Sequence, residues 1–168
     1  LTLHHAGDWP ALGFKSQSNV YERLGRCLHE RGGVLVDFMQ RLLDSVNDVY
    51  KLPIRCQLGY LKPTESFCLY PLPGGRITQE FYSGEKDQQL NYEFAMKSND
   101  QEKIHATLWA VQNHLEELET LESADGSFSF DSISITNKPF INQLDDKGNY
   151  IFMLDVQAKI TTYPKEDE

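Results

Sequence analysis

Hydrophobic residues recur at helical spacing in two stretches of the chain. The first predicts a helix over residues 37–50, which Pro53 ends because proline cannot continue the backbone hydrogen-bond ladder. In the second, residues 98–101 fit a capping box with Ser98 at the N-cap, and the helix is predicted to run to about residue 121. The recurring positions are Phe38, Leu42, Val46 and Val49, then Ile104, Leu108, Val111, Leu115 and Leu118. For the second stripe we favour one face packed on a sheet over a coiled coil.

Strand-like segments fill the chain between these helices. Residues 54–61 and 66–72 predict two strands joined around residues 62–64. A turn rich in proline and glycine follows over residues 71–76, because proline fixes φ and glycine accepts positive φ. Residues 77–82 then predict a third strand.

A polar segment and a strongly alternating one complete this half. Residues 83–88 are polar and contain Gly84, so we expect a mobile hairpin tip. Residues 89–97 predict a strand with one buried side. Its two sides are Leu90, Tyr92, Phe94 and Met96 on one and Asn91, Glu93, Ala95 and Lys97 on the other.

Alternation returns after the second helix. Residues 128–135 predict a strand with an irregularity at Asp131 and Ser132, and residues 137–139 interrupt it. Residues 145–149 form a polar hairpin turn, and residues 150–163 predict a long last strand. The order of elements and the short turns predict an α+β fold, a mainly antiparallel sheet with two helices packed on one face.

The N-terminal segment lacks this patterning, so we divide the chain into an extension (1–35), an α+β domain (36–164) and a short acidic tail (165–168). The extension is either a flexible arm or upstream translated sequence. Arg31, Gly32 and Gly33 can be encoded by bases that include a purine-rich bacterial ribosome-binding site, and Val36 can be read from GTG, an alternative start codon. The nucleotide sequence decides between the two.

Composition and charge narrow the class of protein. The 168 residues are 40% hydrophobic, which is enough for one domain with a buried core. No apolar run approaches the roughly 20 residues of a membrane helix, so we expect no membrane partner. The net charge is −9, and residues 1–35 carry four basic and three acidic residues, which leaves −10 on the rest. Such a body argues against binding nucleic acid through phosphates.

The chain carries no recognisable catalytic motif, and we expect no enzyme activity, cofactor or metal. No nucleophile–base pair is visible, and His105 and His114 lie about 180° apart on their predicted helix. The residues from Pro73 to Arg76 could offer backbone NH groups and a cation to an anion, but a plain tight turn is the stronger interpretation.

Several segments together resemble a family of phage minor capsid proteins of Gram-positive bacteria and their prophages. They lie at residues 58–61, 70–75, 91–98, 107–110 and 136–142. Such proteins are usually encoded just before the major tail protein and resemble tail terminators, α+β subunits whose hexameric ring closes the tail tube and joins it to the head. The resemblance covers residues 36–163 and has no catalytic residues to carry over.

The resemblance implies a virion protein that assembles in the host cytoplasm. Its partners would be further copies of itself, the major tail tube protein and head–tail neck proteins, with DNA only passing through an acidic lumen. An exposed strand edge suits such assembly, since it can pair with a neighbouring chain and close a ring. The candidate contacts lie in the glycine turn, the hairpin tip and the last strand: Gly74, Gly75, Arg76, Ser83, Gly84, Glu85, Lys86, Asp87, Asp155, Gln157 and Lys159.

Two alternatives stay open. One is another neck protein, a head-completion or stopper subunit, which gene order would distinguish from a terminator. The other is a module that binds a small anion through Gly74, Gly75 and Arg76.

Overall fold

The structure, a computed structural model, describes residues 33–164. Apart from residues 33–35, the predicted N-terminal extension lies outside the described residues, and so does the predicted acidic tail. The division of the chain at Val36 therefore stays a prediction.

Two helices and six strands make up the described chain, which confirms the α+β class. The helices are α1 (Gly33–Asn47) and α2 (Gln101–Glu116). The strands are β1 (Cys56–Leu58), β2 (Ser66–Pro71), β3 (Arg76–Glu80), β4 (Lys86–Ser98), β5 (Phe128–Leu144) and β6 (Tyr150–Thr162).

The strands form one sheet in the order β1-β2-β4-β6-β5, with β3 also paired to β4. All pairs are antiparallel except β1 with β2, so the mainly antiparallel sheet is confirmed. The last strand lies inside the sheet, because β6 pairs with β4 on one side and β5 on the other, so its candidate contacts do not lie on an open edge.

The first two strands do not form a simple hairpin around residues 62–64. Strand β1 is only three residues long and runs parallel to β2, with Cys56 opposite Phe67. Gly59 follows β1 with a φ of +113°, a conformation that suits glycine and turns the chain out of the strand. The loop then returns to the start of β2, where Lys62 N donates to Ser66 Oγ at 3.0 Å.

Both predicted helical stripes point into one hydrophobic core against the sheet. The buried residues of the stripes join the inward side chains of β4 and β6, and Phe38 packs edge-on against Phe128 at 5.3 Å between ring centroids. The inward residues of the strands are Leu90, Tyr92, Phe94 and Met96 on β4 and Phe152, Leu154, Val156, Ala158 and Ile160 on β6. Helix α1 starts and ends earlier than predicted, so Val34 and Leu35 also pack on this core.

Helix α2 begins and ends differently from the prediction. Its N-cap is Asp100, whose carboxylate accepts a hydrogen bond from Lys103 N, and not Ser98. Ser98 is instead the buried last residue of β4, and its hydroxyl donates to Glu65 at 2.6 Å. The helix ends at Glu116, so residues 117–121 belong to the following loop.

Two segments predicted as irregular belong to long strands. Residues 86–88 of the predicted hairpin tip extend β4, because they pair with residues 160–162 of β6, which leaves residues 81–85 as the turn. Strand β5 continues through the predicted interruption by bulging: its register with β6 shifts four times, and Pro139 has no paired partner. The predicted irregularity at Asp131 and Ser132 is confirmed as the first of these shifts.

Candidate assembly surface

The sheet has one face that the helices do not cover, and we call it the outer face. Because side chains alternate along a strand, the residues between the core positions of β4 and β6 point to it. They include three of the predicted contacts on β6 and one on β4: Asp155, Gln157, Lys159 and Asp87. The last strand therefore presents its predicted residues on a face and not along an edge.

The predicted glycine turn is tied to this face by two amide side chains. Asn91 Nδ2 donates to Pro73 O at 3.3 Å, and Gln157 Nε2 donates to Asn91 Oδ1 at 3.1 Å. Gly74 has a φ of +96°, and a Cβ there would lie 3.1 Å from Asn91 Nδ2. Pro73 and Gln157, which are far apart in sequence, thus belong to one hydrogen-bonded chain, and Gly74 lies beside it. Arg76 is exposed and begins β3, so no helix N-terminus follows the turn.

Asp87 and Lys159 line one polar groove of about 350 Å³ on the outer face, together with Thr78, Asp131 and Thr161. Thr161 Oγ1 donates to Asp87 Oδ1 at 2.8 Å, which holds that carboxylate in place. One exposed ammonium group, that of Lys159, and two carboxylates line the groove. It is suited to polar contacts with a protein surface more than to a strongly charged ligand.

The hairpin turn carries the remaining predicted residues. Gly84 has a φ of +88°, and its N donates to Phe81 O at 2.9 Å, while Phe81 N donates to Glu85 O at 2.9 Å. Ser83 lies exposed in this turn, and Lys86 begins β4 with an ion pair to Glu80 at 3.1 Å. The predicted contacts thus divide into a group on the outer face and a group at the hairpin turn.

A cluster of ionisable residues that we did not single out from the sequence lies at the centre of the outer face. Glu93 is only 8% exposed and pairs across the sheet with Asp155. Tyr70 donates its hydroxyl proton to Glu93 Oε1, and Asn137 Nδ2 donates to Asp155 Oδ2 at 2.7 Å. Burial, followed by the hydrogen bond with Asp155, raises the pKa of Glu93 to about 7.

This cluster spans several strands of the sheet. Tyr70 joins it on β2 and stacks on Tyr60 at 4.9 Å between ring centroids, while burial raises the pKa of Tyr70 above its usual range. The cluster therefore links β2, β4, β6 and β5. The alternation places Glu93 on this side, but only the pairing register brings it opposite Asp155.

Besides the edge of the short strand β1, where the Asn47 side chain bonds Cys56 N and O, two sheet edges carry unpaired backbone within the described residues 33–164. One is the outer edge of β5, and the other is the outer edge of β3, which pairs only with β4. Both are accompanied by exposed large apolar side chains: Ile77, Phe81 and Tyr82 at β3 and its turn, and Phe140, Ile141 and Leu144 on β5. Exposed apolar groups beside open strand edges are typical of surfaces that contact another chain.

The described residues show little sign of reaction chemistry. Within residues 33–164, no group of three or more His, Cys, Asp or Glu side chains is placed to hold a metal ion. Cys56 and Cys68 are buried free thiols, and burial raises the pKa of Cys68 to about 12, so it stays protonated at neutral pH. Neither described helix is long and apolar enough to cross a membrane.

These features, a sheet with two open edges and a polar outer face, define a structural subunit more than a catalytic one. The sequence profile of the bacteriophage tail terminator protein family matches residues 40–162, which is most of the chain and nearly all of the described part. The chain belongs to this family, and it is therefore a structural protein of the phage tail. A comparison with curated proteins gave no match. The tail-terminator resemblance of the sequence is thus confirmed.

Proposed function

We propose that the protein forms a ring at the head-proximal end of the tail tube, where it ends tail polymerisation and joins the tail to the head. The family match over residues 40–162 carries this proposal. The proposed ring is a hexamer. Its partners are further copies of the chain, the major tail tube protein and the neck proteins of the head, and it resides in the virion after assembly in the host cytoplasm.

The outer face and the hairpin turn support the proposal as contact surfaces. The outer face mixes both signs of charge with amide and hydroxyl groups, which suits a polar contact with another protein better than with DNA. The chain carries −9 overall, so an acidic lumen lets DNA pass with little adhesion.

Mass measurement by light scattering, alone and with tail tubes, tests the ring. We expect a species of about six chains, either free or bound at one end of the tubes. Lys159→Glu, which places a third carboxylate in the groove, should weaken tube binding, while the matched reversal Lys147→Glu in the exposed β5–β6 turn should not. A protein that stays monomeric in both conditions contradicts the proposal.

A further inference from the structure

The two apolar edge patches lie at diagonally opposite corners of the sheet. The β3 patch consists of Ile77, Phe81 and Tyr82, and the β5 patch of Phe140, Ile141 and Leu144. Pairing places Ile77 opposite Gln88, near the start of β4, whereas Ile141 pairs with Phe152, which lies opposite Met96 near the end of β4. The two patches also lie on opposite sides of β4, since β3 flanks one of its edges and β6 with β5 flank the other.

Parts of both patches share the helix-covered side of the sheet. Ile77 is opposite Gln88, which alternation places on the same side as the core residue Leu90. Ile141 is opposite the core residue Phe152, so it points to that side as well. Because the patches lie at diagonally opposite corners, a ring in which this diagonal follows the circumference brings the β3 patch of one copy to the β5 patch of the next, with the helix-covered side in common.

Charge favours a second copy of the chain as the occupant. Residues 76–86 carry two basic and two acidic side chains, and β5 carries one of each, so both regions are neutral in a chain of net charge −9. Elsewhere two acidic copies repel each other, but at these regions they can approach without that cost. Each patch also presents three large apolar side chains, which are groups that gain from being buried together.

The bulges of β5 decide the kind of contact. Its register shifts between residues 137 and 140 and again between 141 and 143, so this half of the edge has no regular row of backbone groups to extend a sheet. Side-chain packing is the contact that the patch can make.

We infer that the β3 patch of one copy packs on the β5 patch of the next in a head-to-tail contact. A contact of this type uses two different surfaces, so it leaves one surface open at each end until a ring closes. The inference rests on the proposed ring and names the surfaces that build it.

Mixing two variants tests the contact, because a head-to-tail interface allows each variant to supply the surface that the other has lost. One variant carries Ile77→Glu and Tyr82→Glu, the other Ile141→Glu and Leu144→Glu, and the matched control is Tyr50→Glu, another exposed aromatic outside both patches. All substituted side chains are exposed, so the folds should persist, which far-UV circular dichroism checks.

The masses are measured by analytical ultracentrifugation, alone and with tail tubes. Each double variant alone should be monomeric, their 1:1 mixture should give a dimer and no larger species, and Tyr50→Glu should assemble like the unchanged chain. Full assembly by either variant, or a mixture that stays monomeric, overturns the contact. If both variants assemble fully but bind tubes poorly, the patches serve the tube protein instead, and the proposed ring stands. If the unchanged chain is monomeric in every condition, the proposed ring itself fails, and this contact fails with it.

Discussion

Glu93 and Asp155 face each other across the pairing of β4 with β6. Tyr70 donates a hydrogen bond to the Glu93 carboxyl group, and Asn137 donates one to that of Asp155. Burial and the closeness of a second carboxylate both disfavour two negative charges here, so the pair holds one proton until the pH approaches about 7. The pKa of Glu93, raised from its usual 4.5 to about 7, agrees with this arrangement.

Glu93 should make the fold less stable as the pH rises. The folded state binds the Glu93 proton more tightly than the unfolded state does. The stability that this proton contributes is therefore fully present below pH 4.5 and is lost as the pH rises through about 7. Glu93→Gln removes the titration and should raise the free energy of unfolding at pH 8 by about 1–2 kcal/mol. Urea unfolding between pH 5 and 8 measures this free energy. The control is Glu119→Gln, since Glu119 is an exposed acid. Parallel pH profiles for Glu93→Gln and the unchanged chain would contradict the shared proton.

The ion pair of Lys97 with Asp145 should hold the β5–β6 turn to β4. Its atoms lie 2.5 Å apart, Lys97 is 9% exposed, and the hydrogen bond from Lys97 holds the pKa of Asp145 well below its usual value. Asp145→Asn leaves a buried ammonium group without its counter-charge and should lower the melting temperature, while Lys97→Met added to it should restore part of the loss.

The ion pair of Lys97 with Asp145 should lose its stabilising effect at low pH. Since the pKa of Asp145 is lowered on folding, its contribution is present above the usual pKa of 3.8 and is lost as the pH falls below it. The neighbouring Asp146→Asn is the control, because Asp146 is exposed. Equal melting temperatures for the two variants would show that the pair contributes nothing.

Asp100 should be the N-cap of α2. Its carboxylate accepts from Lys103 N at 3.1 Å, so Asp100→Ala should cost about 1 kcal/mol of stability. The exposed neighbour Asn99→Ala should change it by less than about 0.5 kcal/mol. Thermal unfolding followed by circular dichroism separates the two, and an equal effect would place the cap elsewhere.

The carboxylate of Asp37 should tether the loop after α2 to α1. It accepts from the hydroxyl of Ser123 at 2.6 Å and from Ala124 N at 3.0 Å. Asp37→Ala should speed hydrogen exchange of the Ala124 amide roughly tenfold, since a hydrogen bond to a charged group is lost. Asp44→Ala, on the same helix but directed at Gln40 and Arg41, should leave that amide unchanged. Unchanged exchange in Asp37→Ala would show that the loop is held by other contacts.

Local patterns in the sequence predicted the parts of the fold that depend on neighbouring residues. The stripes of both helices and the alternation of β6 follow from periods of 3.6 and 2, and the structure confirms both. The polar residues 86–88 looked like a loop because their composition is polar, yet pairing with β6 makes them strand.

Features set by distant pairing could not be predicted in this way. The position of β6 between β4 and β5 and the parallel direction of β1 depend on which strands meet, and no periodicity encodes that choice. The closeness of Glu93 and Asp155 likewise depends on register between strands far apart in sequence. The placement of the last strand's candidate contacts on the outer face also follows from this pairing.

Tail-tube growth tests the central claim most directly. Tubes assembled from the major tail tube protein are incubated with this protein, supplied with fresh tube subunits, and measured for length by electron microscopy. We predict that saturating amounts leave a ring at one end and stop further growth there. Tubes that keep growing from both ends at the rate seen without the protein would contradict its role as a tail terminator.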